Sequence, residues 1–270
     1  MRSFDYHRPT SLPEAGKAFA AAADTKLLAG GMTLIPAMKM RLTLPPALVD
    51  LGGLAELRGI RASKDEIAIG AMTRHVQVAA SADVRRLIPA LSALAGGIGD
   101  PQVRNRGTIG GSVANNDPSA DYPAALLALG ATITTSKRKI PAGKFFTGMF
   151  ETALEAGEII LQVTFPIPAM AAYEKFRSPA SRYALVGVFV VKTSSGVRVA
   201  VTGAAPAVFR ATALESLLSE KFAPEALAGF RFPAEGLNAD MHGDAQFRAS
   251  LISTLTRRAV ASLVAGNGKS

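Results

Sequence analysis

Two pairs of adjacent glycines, Gly30-Gly31 and Gly110-Gly111, most constrain what this chain can fold into. The first pair lies in the loop 29–33 after a short apolar stretch, and the second lies in the loop 108–112. Because glycine has no side chain, the backbone N–H groups of such loops can approach a ligand closely, and each loop also carries a hydroxyl residue. The two loops therefore predict a phosphate site, and together a pyrophosphate held from two sides.

The residues around these loops narrow the kind of ligand. No Gly-Lys-Ser/Thr follows either pair, which excludes a nucleotide P-loop, and the Gly-x-Gly-x-x-Gly dinucleotide fingerprint is absent. The first loop by itself also fits an ordinary strand-to-helix turn. The second loop is followed by a dense polar segment that ends at Asp121, whose carboxylate can accept hydrogen bonds from a sugar or ribityl hydroxyl. Alternatively, Asp121 caps the apolar helix that is predicted to start at Tyr122.

The chain contains no cysteine, which excludes disulfides, cysteine-ligated iron–sulfur clusters and thiolate chemistry. His7, His75 and His242 have no metal-site spacing and are expected at the surface or at helix caps. Neither a Ser–His–Asp set nor a pair of catalytic carboxylates can be argued from spacing, so we predict no catalytic residue and no metal site. Any redox chemistry must then come from a bound cofactor.

The composition is that of a globular chain with a basic balance. It has 270 residues, 49% of them hydrophobic and 19% charged, and a formal net charge of +9. The basic residues are scattered and are not interleaved with aromatic residues, so we predict a docking surface and no nucleic-acid binding. No apolar run is long enough for a membrane span, and residues 1–8 lack the apolar region of a signal peptide, so a cytoplasmic location is expected.

Hydrophobic periodicity predicts an α/β opening, a second mixed region and a C-terminal α+β domain that begins near Pro168. The spacing Ser11-x-x-Glu14 predicts a helix N-terminus, and Ser194-Ser195-Gly196 predicts a hairpin turn. The predicted helices span residues 12–23, 34–42, 74–80 (capped by Thr73), 84–98, 122–129, 211–218 and 246–264, and the predicted strands span 26–29, 47–50, 66–70, 131–135, 159–167, 173–177, 184–193 and 196–203.

Several longer motifs resemble the FAD-binding medium subunit of the molybdenum hydroxylase family, which includes bacterial carbon monoxide dehydrogenase and xanthine dehydrogenase. The resemblance runs along nearly the whole chain, and the motifs together are far more specific than either glycine pair alone. The motifs are Ser3-Phe4-Asp5-Tyr6-His7-Arg8-Pro9, 28–36 with 38–42, Ile69-Gly70-Ala71-Met72-Thr73, 100–107, Thr108-Ile109-Gly110-Gly111, Ala114-Asn115 to Asp117-Pro118 with Asp121, Tyr173-Glu174-Lys175 and Arg182-Tyr183-Ala184.

The resemblance implies an α+β fold in two parts. The first is a two-subdomain FAD-binding domain of the vanillyl-alcohol-oxidase (PCMH) type over residues 1–168, with subdomains of about 1–53 and 54–168. The second is a small C-terminal domain over residues 171–270, like that of the carbon monoxide dehydrogenase flavoprotein, with a three-stranded antiparallel sheet.

The resemblance also implies which residues contact FAD. The first loop would wrap the pyrophosphate, the second loop would hold it from the other side, and Asp121 would contact the hydroxyl-bearing chain. Met32 and Ser112 depart from the residues that many relatives carry, but neither removes a backbone donor. The implied cofactor-binding residues are Ala29, Gly30, Gly31, Met32, Thr33, Ile98 (where relatives can place an aromatic), Thr108, Ile109, Gly110, Gly111, Ser112, Asp121, Ile160 (a backbone contact) and Tyr183 (over the flavin ring).

By the same resemblance, the chain passes electrons from the 2Fe–2S clusters of a partner subunit through FAD to an external acceptor. The molybdenum–molybdopterin cofactor would lie on a large subunit and two 2Fe–2S clusters on a small one, in a dimer of heterotrimers. The identity of the external acceptor stays open between NAD, oxygen, a quinone and another molecule. The reason is that Val186 stands where relatives of the xanthine dehydrogenase type place a lysine near the flavin. Two alternatives remain: a self-sufficient flavin reductase of the related cell-wall precursor type, and an interaction subunit that has lost flavin.

Overall fold

The computed structural model describes residues 1–267, in which three sheets follow one another along the chain. The first is a three-stranded parallel sheet in the order β1-β3-β2, whose strands are joined by two helices. Its elements are β1 (Asp5–His7), α1 (Leu12–Ala20), β2 (Lys26–Leu28), α2 (Leu34–Lys39) and β3 (Ala47–Asp50).

Both helices of this first unit begin as predicted but end earlier. Ser11 caps α1 by accepting a hydrogen bond from the backbone N–H of Glu14, and the carboxylate of Glu14 accepts from the backbone of Thr10. The helix α2 ends at Lys39, not at residue 42, because Arg41 adopts a left-handed backbone conformation with φ of 61°.

The second sheet has five antiparallel strands in the order β4-β5-β10-β6-β7, and a separate two-stranded ribbon lies beside it. The six α-helices of this region are short, and all of them fall between β5 and β6 along the chain. These elements are β4 (Ile60–Ala62), β5 (Glu66–Gly70), α3 (His75–Ala80), α4 (Ala82–Leu87), α5 (Pro89–Gly96), α6 (Pro101–Arg106), α7 (Ile109–Asn115), α8 (Tyr122–Leu129), β6 (Thr132–Thr135), β7 (Lys139–Pro141), β8 (Phe146–Gly148), β9 (Glu151–Thr152) and β10 (Ile160–Pro166).

Two helix predictions in this region are wrong. The segment 84–98 is two helices, because Ile88 is non-helical (φ −139°, ψ 69°) and Pro89 starts a new helix after it. Thr73 does not cap α3, whose N-cap is Arg74. The Thr73 hydroxyl instead hydrogen-bonds the backbone of Gly59.

The third sheet is antiparallel and has four strands, one more than predicted, because a two-residue edge strand pairs with β13. The two-residue hairpin is confirmed, since Thr193 pairs with Gly196 across Ser194-Ser195. The elements are β11 (Met170–Arg177), β12 (Ala184–Thr193), β13 (Gly196–Thr202), β14 (Phe209–Arg210), α9 (Thr212–Glu220) and α10 (Ala245–Asn267).

The third sheet is buried on both faces, which explains the valine-rich sequence of β12. Phe189 and Val191 pack into the same hydrophobic core as Leu126 of α8, whereas Val188 and Val190 pack with α9 and α10. The α+β prediction is confirmed. No helix among residues 1–267 has both the length and the apolar character needed to cross a bilayer.

A cleft between two glycine loops

A cleft of about 480 Å³ is lined by residues from the region of the first sheet, by residues from the region of the second sheet, and by Tyr183 from the loop between β11 and β12. Every residue predicted to bind the cofactor lines this cleft except Ile109, whose side chain is fully buried in the core. The predicted residues that line it are Ala29, Gly30, Gly31, Met32, Thr33, Ile98, Thr108, Gly110, Gly111, Ser112, Asp121, Ile160 and Tyr183.

The loop between β2 and α2 presents a run of unused backbone donors. The N–H groups of residues 30–33 make no hydrogen bond to any of the described residues 1–267, and the Thr33 hydroxyl does not cap α2. Gly31 has φ of 75°, a conformation that favours glycine. Successive free N–H groups in such a turn form a concave site for an anion.

The second glycine loop differs from the first, because the backbone N–H groups of residues 109–112 are already bonded within the protein. The N–H of Gly110 donates to the carbonyl of Ala71 (2.8 Å), and the N–H of Gly111 donates to the Thr108 hydroxyl oxygen (3.1 Å). The N–H groups of residues 109 and 112 are likewise bonded within the protein. The side-chain polar groups of this loop beside the cleft are the hydroxyls of Thr108 and Ser112.

The two loops are in direct contact. A side chain on Gly30 would overlap the carbonyl oxygen of Arg106 and lie 2.8 Å from the Cα of Gly107. A side chain on Gly111 would lie 3.1 Å from the Cβ of Ala29. The absence of a side chain at Gly30 therefore brings both loops to one ligand site.

Asp121 occupies the N-cap position of α8, as the capping alternative predicted, but its side chain makes no capping hydrogen bond. Its carboxylate is 4% exposed and accepts a hydrogen bond from the Tyr173 hydroxyl at 2.5 Å. Lys175 Nζ lies 2.8 Å from Oδ1 and 3.0 Å from Oδ2 of the same carboxylate. Burial raises the pKa of Asp121, and the charge of Lys175 opposes this shift.

The predicted ring-side residues all line the cleft, together with other apolar side chains. Ile98 is half-buried and Ile160 is buried at the start of β10, while Tyr183 is 42% exposed. Met32 and the exposed Phe150 also line the cleft. A cleft lined by both apolar side chains and polar groups suits a ligand that carries an aromatic ring and a charged group.

The sequence prediction for His75 is wrong, because this residue is buried beside the cleft. Its Nδ1 and the hydroxyl of Tyr122 are buried without a hydrogen-bond partner among the described residues, and the two ring centroids are 5.4 Å apart. Burial lowers the pKa of His75 from 6.5 to about 4, with a smaller contribution from the charge of Arg104. The sequence analysis also missed Tyr173 and Lys175 as the two partners of Asp121.

The burial of His75 predicts that acid weakens the fold. Since the unfolded imidazole binds a proton below pH 6.5 and the folded one only near pH 4, the free energy of unfolding should fall by about 3 kcal/mol between these values and level off below them. The variant His75→Asn should lose this part of the pH dependence in urea titrations, whereas the exposed His242→Asn should retain it. Equal slopes in both variants would contradict the assignment.

Comparisons with known proteins agree with this architecture. Residues 2–168 match the family described as the FAD-binding domain in molybdopterin dehydrogenase. The chain is 36% identical to the carbon monoxide dehydrogenase medium chain of Hydrogenophaga pseudoflava, over 95% of this chain and 96% of that one. It is 34% identical to the nicotine 6-hydroxylase medium subunit of Paenarthrobacter nicotinovorans, over 94% and 95%.

The fold is likewise shared with a solved structure. Quinoline 2-oxidoreductase from Pseudomonas putida 86 contains a chain that superposes with a TM-score of 0.89 at 31% identity, over 98% of each chain. The family match covers the two glycine loops and Asp121, and the relatives extend the likeness through the third sheet. The chain thus belongs to the family of FAD-binding subunits of molybdopterin dehydrogenases.

Proposed function

We propose that this chain is the FAD-binding electron-transfer subunit of a heteromeric molybdenum hydroxylase. The observation that carries the proposal is the run of unpaired N–H groups over residues 30–33, in a cleft that also contains the hydroxyls of Thr108 and Ser112. These groups suit a pyrophosphate, because they can donate hydrogen bonds to its charged oxygens without a dedicated lysine.

The residues of the cleft suit three parts of FAD, namely the pyrophosphate, the hydroxyl-bearing chain and the flavin ring. The loop 29–33 holds the pyrophosphate on one side and the loop 108–112 holds it on the other, mainly through hydroxyls. Asp121 accepts a hydrogen bond from the hydroxyl-bearing chain, and the ring contacts come from Ile98, Ile160 and Tyr183. FAD supplies one- and two-electron transfer when bound, and the chain supplies binding, orientation and exclusion of water.

The proposed partners follow from the family to which the chain belongs. Electrons arrive from 2Fe–2S clusters on a small subunit, and the absence of cysteine agrees with this because the chain itself cannot ligate such a cluster through thiolates. A large subunit then carries the molybdopterin cofactor, and a dimer of heterotrimers is the proposed assembly. The carbon monoxide dehydrogenase and nicotine 6-hydroxylase relatives are named as medium chains, which supports a subunit role.

The proposed division of the chain places the FAD-binding domain at residues 1–168, with subdomains at about 1–53 and 54–168, and the C-terminal domain at 171–270. The first and second sheets fall in the first two of these ranges, and the third sheet, which begins at Met170, falls in the last apart from that one residue. Val186 is fully buried within the third sheet and does not line the cleft, so the acceptor approaches a flavin site without a lysine at that position. The cytoplasmic location stays a prediction.

The first test is flavin binding by the purified full chain. We expect one FAD per chain, and we expect FMN to bind about a hundredfold more weakly because it lacks the second phosphate that the free N–H groups address. Thr33→Val and Ser112→Ala should each raise the FAD dissociation constant about tenfold, measured by quenching of flavin fluorescence. Ser195→Ala, in the exposed hairpin, is the matched control.

A protein that binds no flavin, or that binds FMN as tightly as FAD, would overturn the proposal. The flavin-free alternative predicts the first of these results. Affinity purification separates the remaining two readings. Retention of a molybdopterin protein and an iron–sulfur protein supports the subunit role, whereas a chain that is isolated alone and reduces a substrate supports a self-sufficient reductase.

A further inference from the structure

One wall of the cleft is a short segment that we call the acidic loop, residues 117–121. It runs from the end of α7, where Asn116 has φ of 43°, to the start of α8. Asp117, Ala120 and Asp121 all line the cleft. The position of this loop therefore decides where the Asp121 carboxylate lies relative to a ligand.

Few hydrogen bonds within the acidic loop fix its shape. Asp117 accepts from the backbone N–H of Ser119 at 2.8 Å and, through its carbonyl, from the N–H of Ala120 at 2.9 Å. The carbonyl groups of residues 118, 119 and 120 have no partner inside the loop. Buried carbonyl groups need donors, so the loop depends on neighbouring elements.

The third sheet supplies those donors. The Thr202 hydroxyl lies 2.6 Å from the carbonyl oxygen of Ala120 and 3.0 Å from that of Pro118. The N–H of Gly203 donates to Pro118 at 2.8 Å, and the N–H of Ala184 donates to Ser119 at 3.3 Å. Thr202 is 1% exposed, so its hydroxyl is shielded from solvent.

The neighbouring strand β11 holds the other end of the acidic loop. Tyr173 and Lys175 both project from this strand to the carboxylate of Asp121, and Lys175 also donates to the carbonyl of Gly97 at 3.3 Å. The side chain of Lys175 is 4% exposed, and Tyr173 is wedged against Gly187. The carboxylate is thereby fixed by two side chains that belong to the third sheet.

We propose that Tyr173, Lys175 and Thr202 are positioning residues for the cofactor, which hold the acidic loop and the Asp121 carboxylate in the conformation that FAD requires. They lie outside the segment 2–168 that matches the FAD-binding family. The third sheet is then part of the flavin site and not only a neighbouring domain. This inference rests on the proposed FAD function of the cleft.

Two nearly isosteric variants of the full chain test the inference. Thr202→Val keeps the methyl group that packs at Gly187 and removes the hydroxyl, and Tyr173→Phe removes only the oxygen. Each should raise the FAD dissociation constant about tenfold. Without flavin, each should also speed hydrogen exchange of the acidic-loop amides about tenfold, as measured by mass spectrometry. Thr202→Ser, which restores the hydroxyl, should return both values to within about twofold of wild type.

The controls separate positioning from general destabilisation. Lys192→Met and Thr193→Val change the same sheet far from the acidic loop and should alter neither value. Faster exchange with unchanged FAD affinity, or unchanged exchange, would overturn the inference while the FAD proposal stands. If the wild-type chain binds no FAD, both proposals fail, and the exchange data still show whether Thr202 holds the loop.

Discussion

Replacing Gly30 with alanine is expected to weaken FAD binding by at least about a hundredfold. The added Cβ would overlap the carbonyl oxygen of Arg106 and lie 2.8 Å from the Cα of Gly107, so the two glycine loops must separate. Forced overpacking of this kind costs about 1–3 kcal/mol, and the displaced loop also loses the alignment of its N–H groups. Isothermal titration of the purified variant with FAD measures the loss.

Gly16→Ala is the matched control for this variant. Gly16 lies within α1, and a Cβ there would meet nothing within 4 Å. Because alanine favours helix over glycine, this substitution should raise the free energy of unfolding by about 0.5–1 kcal/mol and leave FAD affinity unchanged. Full FAD affinity in the Gly30→Ala protein would show that the two loops do not have to touch for the cofactor to bind.

Much of the fold could be predicted from local sequence signals. The strands 47–50 and 66–70 and the helix 122–129 have the predicted bounds, because apolar periodicity and flanking turn residues agree there. The single helix predicted over 84–98 was wrong because apolar spacing continues through Pro89, although the backbone cannot. The edge strand β14 has only two residues, and a signal of that length cannot be read from sequence.

The candidate site shows a similar division. The loops themselves could be found from sequence, since adjacent glycines mark places where backbone approaches closely. The sequence could not show which N–H groups of the loops are free. The N–H groups of Ile109 and Gly110 donate to the carbonyls of Thr73 and Ala71, which lie in a different part of the chain. The partners of Asp121 were missed for the same reason, since strand pairing in the third sheet sets where Tyr173 and Lys175 lie.

The variant Lys175→Met is expected to be the most destabilising single change in the site. Lys175 and Asp121 are both 4% exposed, so removing the ammonium group leaves a carboxylate buried without its counter-charge. Breaking a buried pair in this way costs about 3–5 kcal/mol. Urea titration measures the free energy of unfolding of this variant and of a control. The control is Lys137→Met, in the exposed pair of Lys137 with Glu155, and it should lower the free energy of unfolding by little or nothing measurable.

A double-mutant cycle tests whether this cost belongs to the buried pair. Asp121→Asn leaves Lys175 buried without its anion, so each single variant should be strongly destabilised, whereas the double variant should lose far less stability than the sum of the two single losses.

The pH dependence of stability gives a second check. Burial already raises the pKa of Asp121, and loss of Lys175 raises it further, so as the pH falls the folded carboxyl takes up a proton before the unfolded one does. The deficit of Lys175→Met relative to wild type should therefore be greatest at neutral pH and shrink as the pH falls. A deficit that does not change with pH, or additive losses in the cycle, would mean that packing around Lys175, not its charge, stabilises this junction.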